Sequence, residues 1–286
     1  MTAPHLKRAG LFGRGWQSLL VWTLALVALL PFALMAWTAA KPRGRVDDAY
    51  HYLSRWMPEH EVRRQIEVET RPLRISAINS TVVGVSCAVL CVLISSMAGY
   101  AFAKKQFRGK AALFDLVLAS MAVPAVVLMM PLFRLAVALH IYDSLWALIL
   151  PFCVTGLGIF YMRHAISAVP DELIDAARVD GLSEIGALFR IVLPSIWPSV
   201  VTLAVLQFIA SWNSFVLPHA VVDSPENYTV AILLGRLLSD SPGLMWNDIM
   251  IVVIATLIPV TFAFIVFNRW VLRGLTVIGD QHGDPG

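Results

Sequence analysis

The chain has 286 residues, of which 58% are hydrophobic and 14% are charged, and its formal net charge is +3. Its mean hydropathy of +0.73 excludes a water-soluble domain built around one ordinary core and indicates an integral membrane protein. Basic loops on the inner side of a membrane account for the small positive charge. No basic stretch with interleaved aromatic residues points to nucleic acid.

Apolar segments long enough to cross a bilayer, which takes about 20 helical residues, recur along the chain. We predict an all-α polytopic membrane protein with six transmembrane helices, at Leu19–Ala40, Thr81–Ala103, Ala111–His140, Leu145–Met162, Pro198–Leu217 and Asp248–Phe267. The first apolar run is longer than the core of a signal peptide, about 7–15 residues, so we interpret it as a retained span. We expect Pro124 and Pro131 to bend the third helix and Pro259 to bend the sixth.

Lysine and arginine are concentrated in alternate connections, which indicates that both termini and the second and fourth connections are cytoplasmic. The first connection departs from this pattern, because Lys41–Arg74 contains eight basic residues against six acidic ones. We interpret it as a folded extracytoplasmic loop with a helix over Glu59–Thr70. The predicted parts of the chain are an N-terminal part (1–75), a transmembrane domain (76–272) with a cytoplasmic loop at 165–195, and a C-terminal cytoplasmic tail (273–286).

Residues that could support catalysis or bind a metal are sparse. Cys87 and Cys91 lie one helical turn apart inside a predicted span, so a metal pair is conceivable, but no nearby His or acidic residue completes a site. Small buried thiols are the favoured interpretation, and Cys153 fits it too. The sequence contains no phosphate-binding G-x-x-x-x-G-K-[ST] pattern and no nucleophile constellation. We therefore predict no catalytic residue, no metal site and no bound cofactor in this chain.

The segment Pro170–Ile196 is acidic, although it lies between two apolar runs. Pro170 followed by two acidic residues is typical of a helix start, and Gly181 is typical of a helix end. A second short helix is predicted at Glu184–Ile191, with Ser183 as its cap and an end forced by Pro194.

The first of these two helices is amphipathic. At about 100° per residue, its apolar face is predicted to contain Leu173, Ile174, Ala176 and Ala177. An amphipathic hairpin on the lipid surface is the alternative interpretation, but such helices usually carry Lys and Arg on their polar face. The acidic character favours a protein partner.

The same segment resembles the "EAA" loop of bacterial ABC importer permeases, whose pattern is E-A-A, three residues, G, nine residues and I-x-L-P. Here Asp175-Ala176-Ala177 is followed by Gly181 and Ile191-Val192-Leu193-Pro194 at the same spacing, with Asp in place of the usual Glu. The resemblance implies a coupling helix that sits in a cleft of a cytoplasmic ATPase subunit. The residues to which it assigns ATPase coupling are Leu173, Ile174, Asp175, Ala176, Ala177, Asp180, Gly181, Ile191, Leu193 and Pro194. Their apolar members are expected to pack into the ATPase, and Asp175 is expected to meet a basic group there.

Three further stretches resemble carbohydrate importers of the maltose type: Ala98–Lys110, Ser211–Pro218 and Asn268–Gly283. Ser214 stands where that family usually has an acid. The resemblance implies a permease subunit of the type-1 importer fold in the bacterial inner membrane, within membrane lipid. Its implied partners are a second homologous permease, two ATPase subunits that use ATP and Mg, and an extracytoplasmic solute-binding protein. The implied cargo is a carbohydrate.

Trp212 and Asn213 could face a sugar in the translocation path, because an indole face and an amide suit a sugar ring. The favoured alternative is an interfacial Trp anchor with an Asn bonded to a neighbouring helix. A secondary transporter is the main rival function, and a membrane-embedded enzyme is a more distant one. The spans hold few ionisable groups for an ion relay, and no convergent polar set marks an active site.

Overall fold

The computed structural model describes residues 11–40, 59–240 and 246–279, and all regular secondary structure in these ranges is helical. The helices, in chain order, are α1 (Leu11–Ala40), α2 (Glu59–Lys104), α3 (Lys110–Ser120), α4 (Ala125–Ala138), α5 (Leu145–Ile149), α6 (Gly156–Ser167), α7 (Asp171–Val179), α8 (Glu184–Ala187), α9 (Leu193–Ser195), α10 (Trp197–Trp212), α11 (Val216–Val221), α12 (Val230–Asp240) and α13 (Trp246–Gly279). One compact unit contains α1 and the start of α13, and the other contains α2 to α12 and the remainder of α13. The prediction of an all-α fold is confirmed.

Three helices are each long and apolar enough to cross a membrane: Ser18–Ala40 in α1, Leu73–Lys104 in α2 and Val252–Trp270 in α13. They confirm the predicted first, second and sixth spans. Three bent pairs of helices also pass as one span each, which allows up to six spans in the described chain. The helix predicted over Glu59–Thr70 is confirmed, although it continues without a break into the second span. The preceding part of that loop, residues 41–58, lies outside the described residues, as do 280–286.

The third predicted span, Ala111–His140, is wrong as a single helix, because α3 and α4 are bent by 102°. Pro124 precedes α4 in extended geometry, with φ −62° and ψ 133°. A proline also disfavours helical geometry in the residue before it, so the chain turns between the two helices. The helices continue through Pro131 in α4 and Pro259 in α13.

The fourth and fifth predicted spans are also divided. Leu145–Phe152 and Gly156–Ser167 form a pair bent by 44°, and the side chain of Thr155 caps the second piece by accepting a hydrogen bond from Gly158 N. The fifth span was predicted as Pro198–Leu217, but α10 ends at Trp212 and α11 is a separate helix. Pro218 lies in the first turn of α11, where its missing N–H costs no intrahelical hydrogen bond.

Helix α2 packs along both α6 and α10. Glycines permit this close approach: a Cβ atom added to Gly99 would lie 2.7 Å from the backbone nitrogen of Arg163, and one added to Gly84 would lie 2.8 Å from the Phe208 ring. A buried apolar cluster around Tyr100, Met162 and Ile166 joins the inner ends of α2 and α6 to the segment that follows α6. The second span therefore packs against the acidic segment Pro170–Ile196.

Away from this cluster, hydrogen bonds of Asp143 link two connections between helices. Its carboxylate accepts hydrogen bonds from the backbone N–H groups of Asp223 and Ser224, at 3.0 and 2.9 Å, and from the Ser224 hydroxyl. Asn227 donates to the backbone carbonyl of Asp143 at 2.7 Å. The amide of Asn79 in α2 holds the same segment through the carbonyl of Glu226. These contacts join the α4–α5 connection to the α11–α12 connection, and the sequence pattern predicted neither them nor α12.

Candidate coupling site

The acidic segment folds as a hairpin of two helical arms, as predicted. α7 begins after Pro170 and ends at a Schellman motif, in which Gly181 N donates to Arg178 O and Leu182 N donates to Ala177 O, both at 3.0 Å. Gly181 has φ +83°, a left-handed geometry that side chains with a Cβ atom disfavour. The sequence pattern thus predicted both the position of this turn and the reason for its glycine.

The second arm differs from the prediction. Ser183 caps α8 by accepting a hydrogen bond from Gly186 N at 3.1 Å, as expected. However, Pro194 does not end the arm: Leu188–Val192 forms a π-helical turn, and Leu193 keeps helical geometry with φ −62° and ψ −41°. A π turn shifts the hydrogen-bond register by one residue, which accommodates a proline that lacks an N–H. The arm instead ends at Ile196, and it meets α10 at 88°. The two are therefore almost perpendicular to each other.

Two of the four apolar residues predicted for one face of α7 are buried, and the other two are exposed. Ile174 and Ala177 are 1% and 3% exposed and pack into the chain's own core. Their expected insertion into an ATPase stays a prediction, and in this structure both side chains are instead covered by the molecule itself. In the second arm, Leu193 is also buried and Ile191 is half-buried in the same cluster.

The rest of the α7 surface is solvent-exposed and partly apolar. Leu173 is 47% exposed and Val179 is 88% exposed, with the exposed Ala176 between them on the same helix. Ile185, at the start of the second arm, is 61% exposed. We name these four residues the outer stripe. Asp180 and Pro194 are exposed as well. The outer stripe, unlike Ile174 and Ala177, is an apolar surface of the hairpin that another protein can contact, and Phe189 in the second arm is also exposed.

Much of the acidic charge of the hairpin is neutralised within the chain. Asp175, which was expected to meet a basic group of a partner, forms an ion pair with Arg178 at 2.5 Å. Arg178 also binds Glu184 at 3.0 Å and so connects the two arms. Sequence reasoning missed this role of Arg178, although its position three residues after Asp175 is a favourable helical spacing.

Three side chains at the inner end of α2 bind the hairpin, and we name them the α2 anchor: Tyr100, Lys104 and Lys105. Lys104 binds Asp171 at 2.7 Å and the Val169 carbonyl at 2.5 Å. Lys105 binds Glu184 at 2.5 Å, and the Tyr100 hydroxyl donates to the same carboxylate at 2.7 Å. In the sequence these lysines indicated topology and lay within the Ala98–Lys110 stretch of the family resemblance, but nothing there paired them with the hairpin.

The anchor keeps its acidic partners ionised. Lys105, Tyr100 and Arg178 lower the pKa of Glu184 to about 2, because each donates a hydrogen bond to the ionised carboxylate. Lys104 lowers the pKa of Asp171 in the same way. For a lowered pKa, the stabilising contribution is present above the ordinary carboxyl pKa and is lost as the pH falls through the lowered value. Asp171 and Glu184, the acidic partners of the anchor, are therefore charged at neutral pH.

The two residues predicted for a substrate path line one cavity of about 470 Å³. Trp212 is 5% exposed and its ring lies 5.6 Å from that of Phe208, whereas Asn213 is exposed. The other lining residues are Phe215, Val230, Ala231, Leu234, Gly235, Leu238, Ser239 and Thr256. The burial of Trp212 disagrees with an exposed interfacial anchor. A role of this cavity in substrate passage stays a prediction.

Replacing Gly181 tests the geometry of the hairpin turn. A Cβ atom at this position meets no neighbour within 4 Å, so the cost of a substitution comes from the backbone rather than from crowding. We expect Gly181→Val to destabilise the turn by about 1–2 kcal/mol and to lower transport. Gly181→Asn is the matched control, since Asn tolerates left-handed geometry. Equal transport by the two variants would show that the backbone conformation of Gly181 is unimportant.

Bent apolar helices with a polar hairpin at one end are consistent with a membrane transport subunit. Residues 74–277 match the family described as the binding-protein-dependent transport system inner membrane component, and the chain belongs to this family. It is therefore an inner membrane protein, and the predicted resemblance to importer permeases is confirmed.

Relatives with known names agree with this family. The arabinooligosaccharides transport system permease protein AraQ of Bacillus subtilis is 39% identical over 201 residues, covering 70% of this chain and 71% of the relative. The sulfoquinovosyl glycerol transport system permease protein SmoH of Agrobacterium fabrum is 31% identical over 211 residues, covering 73% and 74% of the two chains.

Solved structures share the fold. A chain of a bacterial ABC transporter that imports the acidic polysaccharide alginate superposes with a TM-score of 0.72 and 18% identity, covering 93% of this chain and 99% of that one. A chain of the MetNI methionine ABC transporter, in an inward-facing conformation, gives a TM-score of 0.54 at 18% identity, covering 76% and 99%. The fold is thus that of ABC importer permeases.

Proposed function

We propose that this chain is the permease subunit of an ATP-driven, binding-protein-dependent importer of a carbohydrate such as an oligosaccharide. It forms the translocation path together with a second, homologous permease. Two cytoplasmic ATPase subunits, which bind ATP and Mg, supply the energy, and an extracytoplasmic solute-binding protein delivers the sugar. The chain itself catalyses no reaction.

The outer stripe is the observation that carries this proposal. Leu173, Val179 and Ile185 are 47%, 88% and 61% exposed, and covering these apolar side chains with another protein is favourable through the hydrophobic effect. The stripe lies on a hairpin whose sequence has the EAA spacing, in a chain of the importer family. A coupling surface for an ATPase accounts for all three features.

The names of the relatives support a sugar as cargo. AraQ is named for arabinooligosaccharides, and a lactose transport system permease of Rhizobium radiobacter is 31% identical over 198 residues. Uptake of radiolabelled arabinooligosaccharide and lactose by cells with and without the gene tests the cargo. An affinity tag on this chain tests the partners by co-purification. Failure of an ATPase to co-purify with a folded chain would overturn the proposed function.

Orientation follows from the same proposal. The hairpin and both termini are cytoplasmic, as the distribution of Lys and Arg indicates. The Asp143 contacts therefore face the extracytoplasmic side. Single cysteines at Ser183 and Ser224, in a background without Cys87, Cys91 and Cys153, should react with a membrane-impermeant reagent from opposite sides. Reaction of both in intact cells would reverse the assignment of one of these loops.

A contact between Trp212 and the sugar is the further expectation for the cavity. Trp212→Ala should raise the KM for arabinooligosaccharide uptake about threefold to tenfold, which corresponds to about 0.7–1.4 kcal/mol, because the indole face that contacts the sugar is removed. Trp197→Ala is the matched control, since Trp197 is 52% exposed and does not line the cavity. An unchanged KM in Trp212→Ala would remove Trp212 from the substrate path.

A further inference from the structure

We infer that the α2 anchor fixes the coupling hairpin to the second span, and that Lys104 and Lys105 are thereby positioning residues for the coupling of ATP hydrolysis to transport. This inference rests on the proposed function. It concerns groups within this chain, and it assigns a task to the basic end of α2 beyond that of setting topology.

The contacts of the anchor are placed at the start of both arms. Lys104 donates hydrogen bonds to Asp171, the first residue of α7, and to the carbonyl of Val169, two residues before it. Lys105 and Tyr100 hold Glu184, the first residue of α8. Each arm is therefore attached to α2 at its own beginning, in addition to the turn at Gly181 that joins them.

Burial distinguishes Lys104 from its acidic partner Asp171, which is 77% exposed, and from the half-exposed pair of Lys105 and Glu184. The Lys104 side chain is 8% exposed, and Tyr100 is 5% exposed within the cluster that also contains Ile174 and Ala177. A buried ammonium group needs its partners, because an unpaired charge in an apolar environment is costly. The positive end of Lys104 therefore ties α2 to the hairpin rather than extending into solvent.

Arg178 completes the unit by joining the two arms. It binds Glu184, which the anchor holds, and Asp175 in the middle of α7. A displacement of the outer stripe consequently moves both arms, and the anchor passes this displacement to α2. Since α2 packs along α6 and α10, one helix distributes the motion to two further elements of the bundle.

Basic residues are also favoured at the C-terminal end of any helix, because positive side chains interact well with the free carbonyl groups there. That reason alone does not explain why both lysines bind acids on another element. Arg108 provides the comparison: it is exposed in the same basic turn, and its substitution removes an identical charge without touching the hairpin.

The test compares sugar imported per ATP hydrolysed in proteoliposomes that contain the complete importer, purified through a tag on this chain, with arabinooligosaccharide as the probe. We expect Lys105→Gln and Glu184→Gln to lower this ratio about fivefold or more, the scale of a typical coupling free energy, while ATP hydrolysis continues. Lys105→Arg, which keeps the charge, and Arg108→Gln should match the wild type. An unchanged ratio in Lys105→Gln overturns the inference. A parallel fall of hydrolysis and uptake, with loss of the ATPase subunits, also overturns it, because the anchor then serves assembly alone.

A second measurement needs no substrate. Spin labels at Gln106→Cys, beside the anchor, and Val179→Cys, on the outer stripe, report the distance between α2 and the hairpin in the purified full-length chain without its native cysteines. We expect a narrow distance distribution in the presence of Lys105 and a broad one in Lys105→Gln. Equal widths overturn the inference. A wild-type importer that hydrolyses ATP but takes up no arabinooligosaccharide would contradict the proposed cargo alone. The spin-label distances would still decide the role of the anchor.

Discussion

Ala177→Asp is expected to abolish transport because it disrupts the buried cluster between the hairpin and helices α2 and α6. Ala177 is 3% exposed among Ile174, Leu188 and other buried residues. A carboxylate placed there has no basic partner in the cluster and costs several kcal/mol. The hairpin should then separate from the inner ends of α2 and α6. Faster trypsin cleavage at Arg178 and Arg190 in the purified chain measures this separation.

Ala176→Asp is the matched control for that variant. The same charge is added one residue earlier, on the exposed side of α7, where water solvates it. The trypsin pattern should stay that of the wild type, while co-purification of the ATPase falls because the outer stripe becomes charged. If the two variants behave alike in both assays, the division of α7 into an inner and an outer face is wrong.

Gly99→Val should cause a large loss of stability in the transmembrane region. The Cβ of any side chain at position 99 would lie 2.7 Å from the Arg163 nitrogen and 2.9 Å from the Met162 carbonyl carbon. These are backbone atoms, so a change of rotamer cannot relieve the overlap and α2 must move away from α6. We expect a cost of about 3 kcal/mol or more, seen as a lower unfolding midpoint in detergent.

Val89→Ile controls for the effect of added volume on the same helix. Val89 is 52% exposed and faces away from the packed interior, so an extra methylene there has space. Its unfolding midpoint should equal that of the wild type. A midpoint for Gly99→Val that also equals the wild type would show that α2 and α6 do not approach as closely as their glycines allow.

Sequence periodicity and motif spacing predicted the features that depend on local chemistry. Helix content, the three uninterrupted spans, the Ser183 cap and the left-handed glycine at 181 each follow from a residue and its near neighbours. The turn before Pro124 belongs to the same group. Such features need no knowledge of what the segment packs against.

The features that the sequence did not reveal depend on tertiary contacts. Ile174 and Leu173 are equally apolar in sequence, but only the fold decides that Ile174 enters the core and Leu173 stays exposed. Lys104 and Asp171 are separated by 67 residues, so periodicity could not pair them. The π turn before Pro194 was missed for a related reason, since local rules treat a proline as a stop and the packed arm instead shifts its hydrogen-bond register.

The Asp143 contacts have a mechanical consequence. One carboxylate accepts bonds from two backbone amides and one hydroxyl of another connection, while Asn79 holds that connection from a third helix. Three elements that are distant in sequence therefore lose their independent degrees of freedom at this end of the molecule. During a transport cycle we therefore expect these three elements to move together, and we expect bending at the breaks in the chain, such as those between α3 and α4 and between α10 and α11.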